Sequence, residues 1–413
     1  LEEARCAKGL VKRDVVRIIT PGTVVEEDLL SERSQNFLVA IVGRPEDPAA
    51  FGLAMADLST GEFAATESRG WAALAEELQR IRPSEIVLPA SLADHGAWAE
   101  RLEAEAGAWT GLFRVSSISD DEVKHETAFA RLAAQFGADS LARCEIQGRP
   151  LALSAAGAIL FYLQDNQAGN KPAIGTRLPK DARHGLAHLQ APAAYRMDEF
   201  LRLDATTCRN LELMRTLREG RSEGSLLSVL DRTKTPMGAR LLRRWVQQPL
   251  LDVERIGLRV DAVAELVTGQ FLRADLRQFL DGIYDVERLV GRVGFGNANA
   301  RDLVALRRSL ARIPRVKACL AEANSERLRV LEAELDELAD VASLIEVALV
   351  ERPPILVRDG GLFRGGYSTD LDALRSTAAE GRDWLADLEA VERERTGIPN
   401  LRVKYNQVFG FFI

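Results

Sequence analysis

Ser225–Leu251 reads SLLSVLDRTKTPMGARLLRRWVQQPLL. Its punctuation organises the second half of the chain. A short apolar helix over Ser225–Leu230 runs into Asp231 and stops. Thr235 stands where an N-cap belongs, and Pro236 takes the first helical position. A Thr hydroxyl can accept an orphan first-turn N–H, and proline has no N–H to leave unsatisfied there. The following helix carries Met237, Leu241, Leu242 and Trp245 on one side, with Arg240, Arg243 and Arg244 mostly on the other. That pattern predicts an apolar stripe facing a core. Pro249 ends it. On spacing alone this is a helical hairpin inside a bundle.

The letters add to the spacing. Asp231-Arg232-Thr233-Lys234-Thr235-Pro236-Met237-Gly238-Ala239-Arg240-Leu241-Leu242-Arg243-Arg244-Trp245, then Gln248-Pro249-Leu250, resembles the core-domain signature of the MutS mismatch-repair family. Leu203-Asp204-Ala205-Thr206-Thr207-Cys208-Arg209-Asn210-Leu211-Glu212 resembles the segment that opens that core. Asp285-Val286-Glu287-Arg288-Leu289 and Asn299-Ala300-Arg301-Asp302-Leu303 also match the family pattern. The resemblance covers nearly the whole chain. It marks Asp231, Thr235, Pro236, Met237, Gly238, Arg240, Leu241, Trp245, Pro249, Asn299, Arg301 and Asp302 as a structural signature, with no catalytic, cofactor or metal residue among them.

Composition sets the outer limits. A chain of 413 residues predicts two or three domains. Aromatic residues make up only 6%, so Leu, Ala and Val must fill the cores. A net charge of −7 means that any nucleic-acid contact is local. Cys6, Cys144, Cys208 and Cys319 form no CxxC, which suits free, mostly buried thiols in a reducing cytoplasm. No apolar run reaches the ~18 residues of a membrane span, and no signal-peptide pattern opens the chain.

Read in order, residues 1–9 look like a helix end stopped at Lys8-Gly9, with 1–10 by resemblance a remnant of the family's mismatch-binding domain, followed by a strand over Val11–Thr20. Arg17-Ile18-Ile19-Thr20-Pro21-Gly22-Thr23 resembles the family's exit from its mismatch-reading domain. The Phe-x-Glu element of that reader belongs further upstream and is absent. Phe37–Val42, Phe51–Leu58 and Gly61–Thr66 predict an antiparallel meander with turns at 43–48 and 59–61. Trp71, Leu74, Leu78 and Ile81 predict a helix stopped by Pro83, and Glu85–Leu88 a buried strand added in parallel. Helices over Asp121–Phe136 and Pro150–Gln167 complete a mixed-sheet α/β domain, residues 11–168. By resemblance this is the RNase H-like connector.

That fold raises a nuclease reading. A two-metal nuclease needs carboxylates converging on one sheet edge to hold ions ~4 Å apart. Only Asp57 sits suitably on a central strand; Glu62 and Glu85 lie at strand ends, and Asp57 reads better as a cap on the Ser59–Gly61 turn.

Residues 168–183, AGNKPAIGTRLPKDAR, read as a linker, placed at 169–185 in the domain division. His184 and His188 stand at i, i+4, but nothing nearby completes a zinc site, and partly exposed histidines account for them. From 186 to 399 the chain reads as a helical core with long lever helices. It includes Ile256–Val267, Phe271–Val293 interrupted at Gly282, Leu328–Val350 and Leu371–Val391. Gly294-Phe295-Gly296-Asn297 lacks a preceding strand and reads as a helix stop, not a phosphate loop. Asn299 then caps a helix with Asp302 reaching back, and Leu303, Leu306 and Leu310 form its buried stripe. Arg301, Arg307, Arg308, Arg312, Arg315 and Lys317 face a single acid, Asp302; this basic face either meets DNA phosphate or is simply solvated. In the second lever helix Leu371, Leu374, Ala378, Gly381, Leu385 and Leu388 form a seam for an antiparallel partner. Ile355–Gly361 matches the family's pre-lever turn. Residues 400–413 begin β structure that resembles the entry to a clamp, with Phe411 and Phe412 where the family usually has Tyr-Tyr; an apolar edge there implies that the natural chain continues.

The resemblance implies a bacterial, cytoplasmic homodimer, associated with the nucleoid, that encircles double-stranded DNA at mismatches and small loops, uses ATP and Mg to become a sliding clamp, and recruits MutL. No G-x-x-x-x-G-K-[ST] loop occurs in the sequence, so the chain itself is expected to lack a cofactor and to hydrolyse no ATP. Its residues would supply mechanics, with weak DNA binding and a partly disordered core in isolation. The alternatives are a MutS-like protein without the reader that acts on recombination intermediates, an RNase H-like nuclease, or a helical scaffold.

Overall fold

In the computed structural model, residues 18–44, 47–108, 113–167, 186–406 and 410–412 are described. The reading of residues 1–10, most of the strand over Val11–Thr20, the turn residues Pro45 and Glu46, Cys6, His184 and the linker at 169–185 lie outside them. Within Val11–Thr20, residues 18–20 are not a strand: they lead into a 3₁₀ turn at Pro21–Thr23.

The meander forms as the short apolar runs and their turn clusters predict. Strands β1 (Leu38–Arg44), β2 (Asp47–Asp57) and β3 (Glu62–Ser68) pair antiparallel, Ala40 facing Ala54 and Ala54 facing Ala65. Strand β4 (Glu85–Pro89) joins β1 in parallel, and β5 (Arg114–Ile118) joins β4. Ala193–Ala194 adds β6 beside β3, giving the order β5-β4-β1-β2-β3-β6. Side chains alternate across the sheet. Leu38, Ala40 and Val42 face one core with Pro150–Gln167 and His125–Phe136; Val39 and Ile41 face the other with Trp71–Ile81 and Trp98. Trp98 meets Phe51 and Trp71 edge-on at 5.0 and 5.1 Å. The helix expected over Asp121–Phe136 is shorter. Asp120–Val123 is a 3₁₀ turn and the α-helix starts at His125.

Beyond Ala194 the chain is helical, with small separate cores. The long helix expected over Leu328–Val350 is broken. Glu326–Glu334 and Ala339–Ala348 are separate, and Leu338 between them takes the left-handed conformation, φ 48°. The interruption near Gly282 splits Gln270–Leu280 from Val286–Phe295. Thr369–Thr396 is one helix of 28 residues, capped by the Ser368 side chain and ended by Gly397. Its expected seam is largely in water, with Leu374 68% exposed. Large apolar residues elsewhere in the helical part are also exposed, among them Val260, Val263, Val267 and Phe271. Lys404–Asn406 and Gly410–Phe412 pair antiparallel. Among the described residues no helix is long and apolar enough to cross a membrane. Cys144, Cys208 and Cys319 are free and half-buried, less enclosed than expected.

Candidate functional site at the seam between sheet and helices

The signature helix Pro236–Gln247 starts as read: Thr235 Oγ1 accepts the Gly238 N–H at 3.1 Å and Pro236 opens the helix. Its burial departs from the expectation in part: Leu242 packs on the core of Leu213 and Leu227 as read, but Leu241, Trp245 and Arg240 do not follow the stripe. Leu241 and Trp245 are 45% and 39% exposed, whereas Arg240 is 2% exposed. The reason is charge pairing. Arg240 Nη1 and Nη2 donate to Asp285 Oδ2 and Oδ1 at 2.5 and 2.8 Å, and Nη2 also reaches Glu287 at 2.5 Å. A fork on a carboxylate makes a buried guanidinium tolerable. Trp245 is covered instead by Arg259, 3.8 Å above its ring. The neighbouring short helix follows suit, with Leu227 buried and Val229 60% exposed.

The same arginines grip the segment that leads into the sheet. Arg240 Nη1 donates to the Glu32 carbonyl at 3.0 Å, and Arg288 Nη2 donates to the carbonyls of Ser31 and Ser34, both at 2.9 Å. Asp231, which ends the short helix, accepts from Arg33 at 2.7 Å and from the Thr233 hydroxyl at 2.6 Å. Arg244 donates to Glu62 at the start of β3, and Gln247 to the Arg80 carbonyl. Pro249 offers its carbonyl to Leu201 N–H at 2.8 Å.

Helix Val286–Phe295 is driven into the sheet domain. A Cβ on Gly291 would stand 2.2 Å from the Ser59 carbonyl oxygen, and one on Gly294 would stand 2.6 Å from His188 Cβ. Phe295, one residue on, joins the sheet's own core. Only glycines permit that approach. The helix stop at Gly296, φ 82°, is as read. His188 is not on a helix: its Nε2 donates to the Leu58 carbonyl at 2.7 Å, while Nδ1 is buried with no partner. Burial lowers the His188 pKa, against the opposing pull of the Leu58 carbonyl and the Asp57 charge.

Asn299 caps Ala300–Leu310 through Arg301 N–H and Asp302 N–H at 2.8 and 3.1 Å, and Asp302 returns to Asn299 N–H at 2.9 Å. The buried stripe is Val304, Leu306 and Leu310; Leu303 is only half-buried. The basic residues lie on two helices and are engaged within the chain. Arg301 holds the Pro353 carbonyl, Arg307 and Arg308 share Glu351 at 2.6 and 2.8 Å, Arg312 sits against Gly282, Arg315 lies over Phe279, and Lys317 holds the Leu335 carbonyl. Hydrogen bonds from Arg308 and then Arg307 hold the Glu351 carboxyl down to about 2.

The carboxylates of the sheet are likewise committed. Asp57 caps its turn, accepting from Ser59 N–H and hydroxyl and from Asn36 N–H. Glu62 pairs with Arg244, and Glu85, fully buried, accepts from Gly22 N–H, Ser116 and Tyr162. Among the described residues no group of three His, Cys, Asp or Glu stands together to hold a metal.

Sequence reasoning missed Gly291 altogether, and missed the seam roles of Gly294, His188, Arg288 and Glu62. Gly291 and Gly294, three apart in a helix, were the available signal for a close approach; the others meet partners far away in sequence.

A model of MutS domain II matches residues 36–175, and one of MutS domain III matches residues 206–407. The DNA mismatch repair protein MutS of Symbiobacterium thermophilum is 44% identical over 416 aligned residues, covering all of this chain and 45% of that protein. Proteins of the same name from a Synechococcus strain and from Methanosarcina barkeri are 41% and 40% identical, again over the whole chain and over 47% and 45% of their own lengths. The chain thus spans about half the length of the curated relatives it matches. Two domain matches in the order of the sheet and the helices, joined by a seam built from the signature residues, mean that this chain belongs to the MutS family.

Proposed function

We propose that this chain is the mechanical middle of a MutS-type mismatch-recognition protein, with a connector at 11–168, a linker at 169–185 and a core with lever helices at 186–399. In the whole protein it relays movement between an ATP- and Mg-using module and the grip on mismatched or looped double-stranded DNA, in a homodimer that recruits MutL. The observation that carries this reading is the seam. Helix Val286–Phe295 abuts the Ser59 turn without a side chain between them, and Arg240 and Arg288 clamp residues 31–34. Backbone-to-backbone contact transmits displacement, because packed interfaces shift between arrangements instead of yielding. The sequence has no phosphate loop of the Walker type.

The test uses the full-length protein with Arg244→Ala, which removes the half-exposed tie to Glu62 and leaves the buried network intact. Mismatch affinity should hold, while ATP-driven release from the mismatch should slow by ~5-fold or more, the loss of a coupling of ~1–2 kcal/mol. Release at the original rate, with the tie gone, would remove the seam from the relay.

A further inference from the structure

Beside this seam lies a cavity of about 660 Å³, lined from the end of helix Trp71–Ile81 and from helix Pro236–Gln247. Six arginines line it, Arg80, Arg82, Arg215, Arg221, Arg243 and Arg244, against one carboxylate, Glu223. Three of the six are already neutralised: Arg80 by Glu77, Arg221 by Glu219 and Arg244 by Glu62. The other three are not. Arg215 spends one N–H on the Gly220 carbonyl, while Arg82 and Arg243 make no ion pair among the described residues. The Arg243 Nε is buried with no hydrogen-bond partner. Arg82 is moreover held in the left-handed conformation, φ 51°, at the end of its helix.

Such a cluster is unfavourable as it stands. Burial lowers the Arg243 pKa, and the charges of Arg82 and Arg215 lower it further, against the opposing charge of Asp231. A guanidinium nevertheless stays protonated, so an anion held among the three would offset their repulsion. Guanidinium forks match phosphate oxygens two at a time. The cavity adjoins a second, of about 530 Å³, that shares Arg82, Met214, Arg215 and Gln247 among its lining and is also walled by Phe200, Leu203, Leu213 and Leu217. Volumes of this order suit a small molecule and exclude a nucleic-acid duplex.

We propose that the paired cavities bind a small phosphate-bearing ligand with an apolar body, its oxyanion held by Arg82, Arg215 and Arg243 and its body lodged against Phe200, Leu203 and Leu213. The site lies where the sheet meets the helices, so an occupant would bridge them. This assignment is independent of the relay reading.

The probes are inorganic phosphate and phenyl phosphate, titrated calorimetrically into the 413-residue chain at low salt. Phenyl phosphate should saturate a single site several-fold more tightly than inorganic phosphate. Arg82→Gln should weaken it by ~10-fold or more, as loss of a charged hydrogen-bond donor does, and Arg243→Gln by at least as much. Arg196→Gln, on an exposed pair with Asp198, should leave it unchanged. Arg82 is exposed and unpaired, so its variant remains decisive even if Arg243→Gln misfolds. No saturable binding, or binding that survives Arg82→Gln, overturns the site; equal affinity for the two probes overturns the apolar body.

Discussion

Gly291 and Ser59 meet backbone to backbone, with room at Gly291 for a hydrogen and nothing larger: a Cβ would stand 2.2 Å from the Ser59 carbonyl oxygen. The oxygen belongs to the turn held by Asp57, so it cannot swing aside. Gly291→Ala should therefore destabilise the chain by ~1–3 kcal/mol, the usual cost of overpacking. Amide hydrogen exchange at residues 59–61 should accelerate while the central strands stay protected. Unchanged protection in that turn would mean that the two domains can part without strain.

Arg240 tests the buried charge. Replacing it with Met leaves Asp285, 9% exposed at its side chain, without its fork. Removing one partner of a buried pair costs about 3–5 kcal/mol, read as a lowered urea midpoint. Adding Asp285→Asn should recover part of the loss, because an amide is less costly than a charge to bury alone. A double variant no better than the single would show that Arg240 acts through its contact with the Glu32 carbonyl.

His188 gives the seam a pH dependence. Its folded pKa lies below the ordinary 6.5 because burial disfavours the imidazolium. The unfolded chain therefore binds this proton more readily. The stability that neutral His188 contributes is complete above about pH 6.5 and is lost as pH falls through the folded value. The slope is at most ~1.4 kcal/mol per pH unit. Comparing unfolding midpoints at pH 7.5 and 5.5, His188→Gln should be less pH-sensitive than the parent, since its amide can still donate to Leu58. Identical pH sensitivity in the two would assign the effect to other groups.

Asn299 closes a capping box with Asp302. Asn299→Ala should lower stability by ~1 kcal/mol, and Asn299→Ser should restore most of it. Equal losses for both would mean that the contact of Arg292 with Asp302, at 2.9 Å, fixes the helix start instead.

Local chemistry was legible in the sequence. Thr235-Pro236, Asn299-Asp302, Gly296 and the Asp57 turn act as read, because a cap or a turn involves neighbours only a few residues apart. Strands β1 to β4 were legible for the same reason: short apolar, β-prone runs between turn residues are a local pattern. Strand β5 and the two residues of β6 were not, being short and fixed by the sheet they join. The exposure of Leu241 and Trp245 and the burial of Arg240 were hidden because the helix is amphipathic either way. Asp285, 45 residues on, decides which face turns inward. The break at Leu338 was masked by apolar residues that continue the helical period across it.

The helix Thr369–Thr396 rises about 1.5 Å per residue, or ~42 Å over its 28 residues, with little packed against its flanks. Arg375 fastens its foot to the Phe363 carbonyl, and at its far end Arg393 and Glu389 hold Leu401 and Val403 ahead of the paired strands. A tilt of ~5° at the foot sweeps that end through ~4 Å. Geometry alone thus supplies a gear ratio: a rotation too small to disturb packing near the pivot becomes a displacement larger than an atomic diameter where the strands begin.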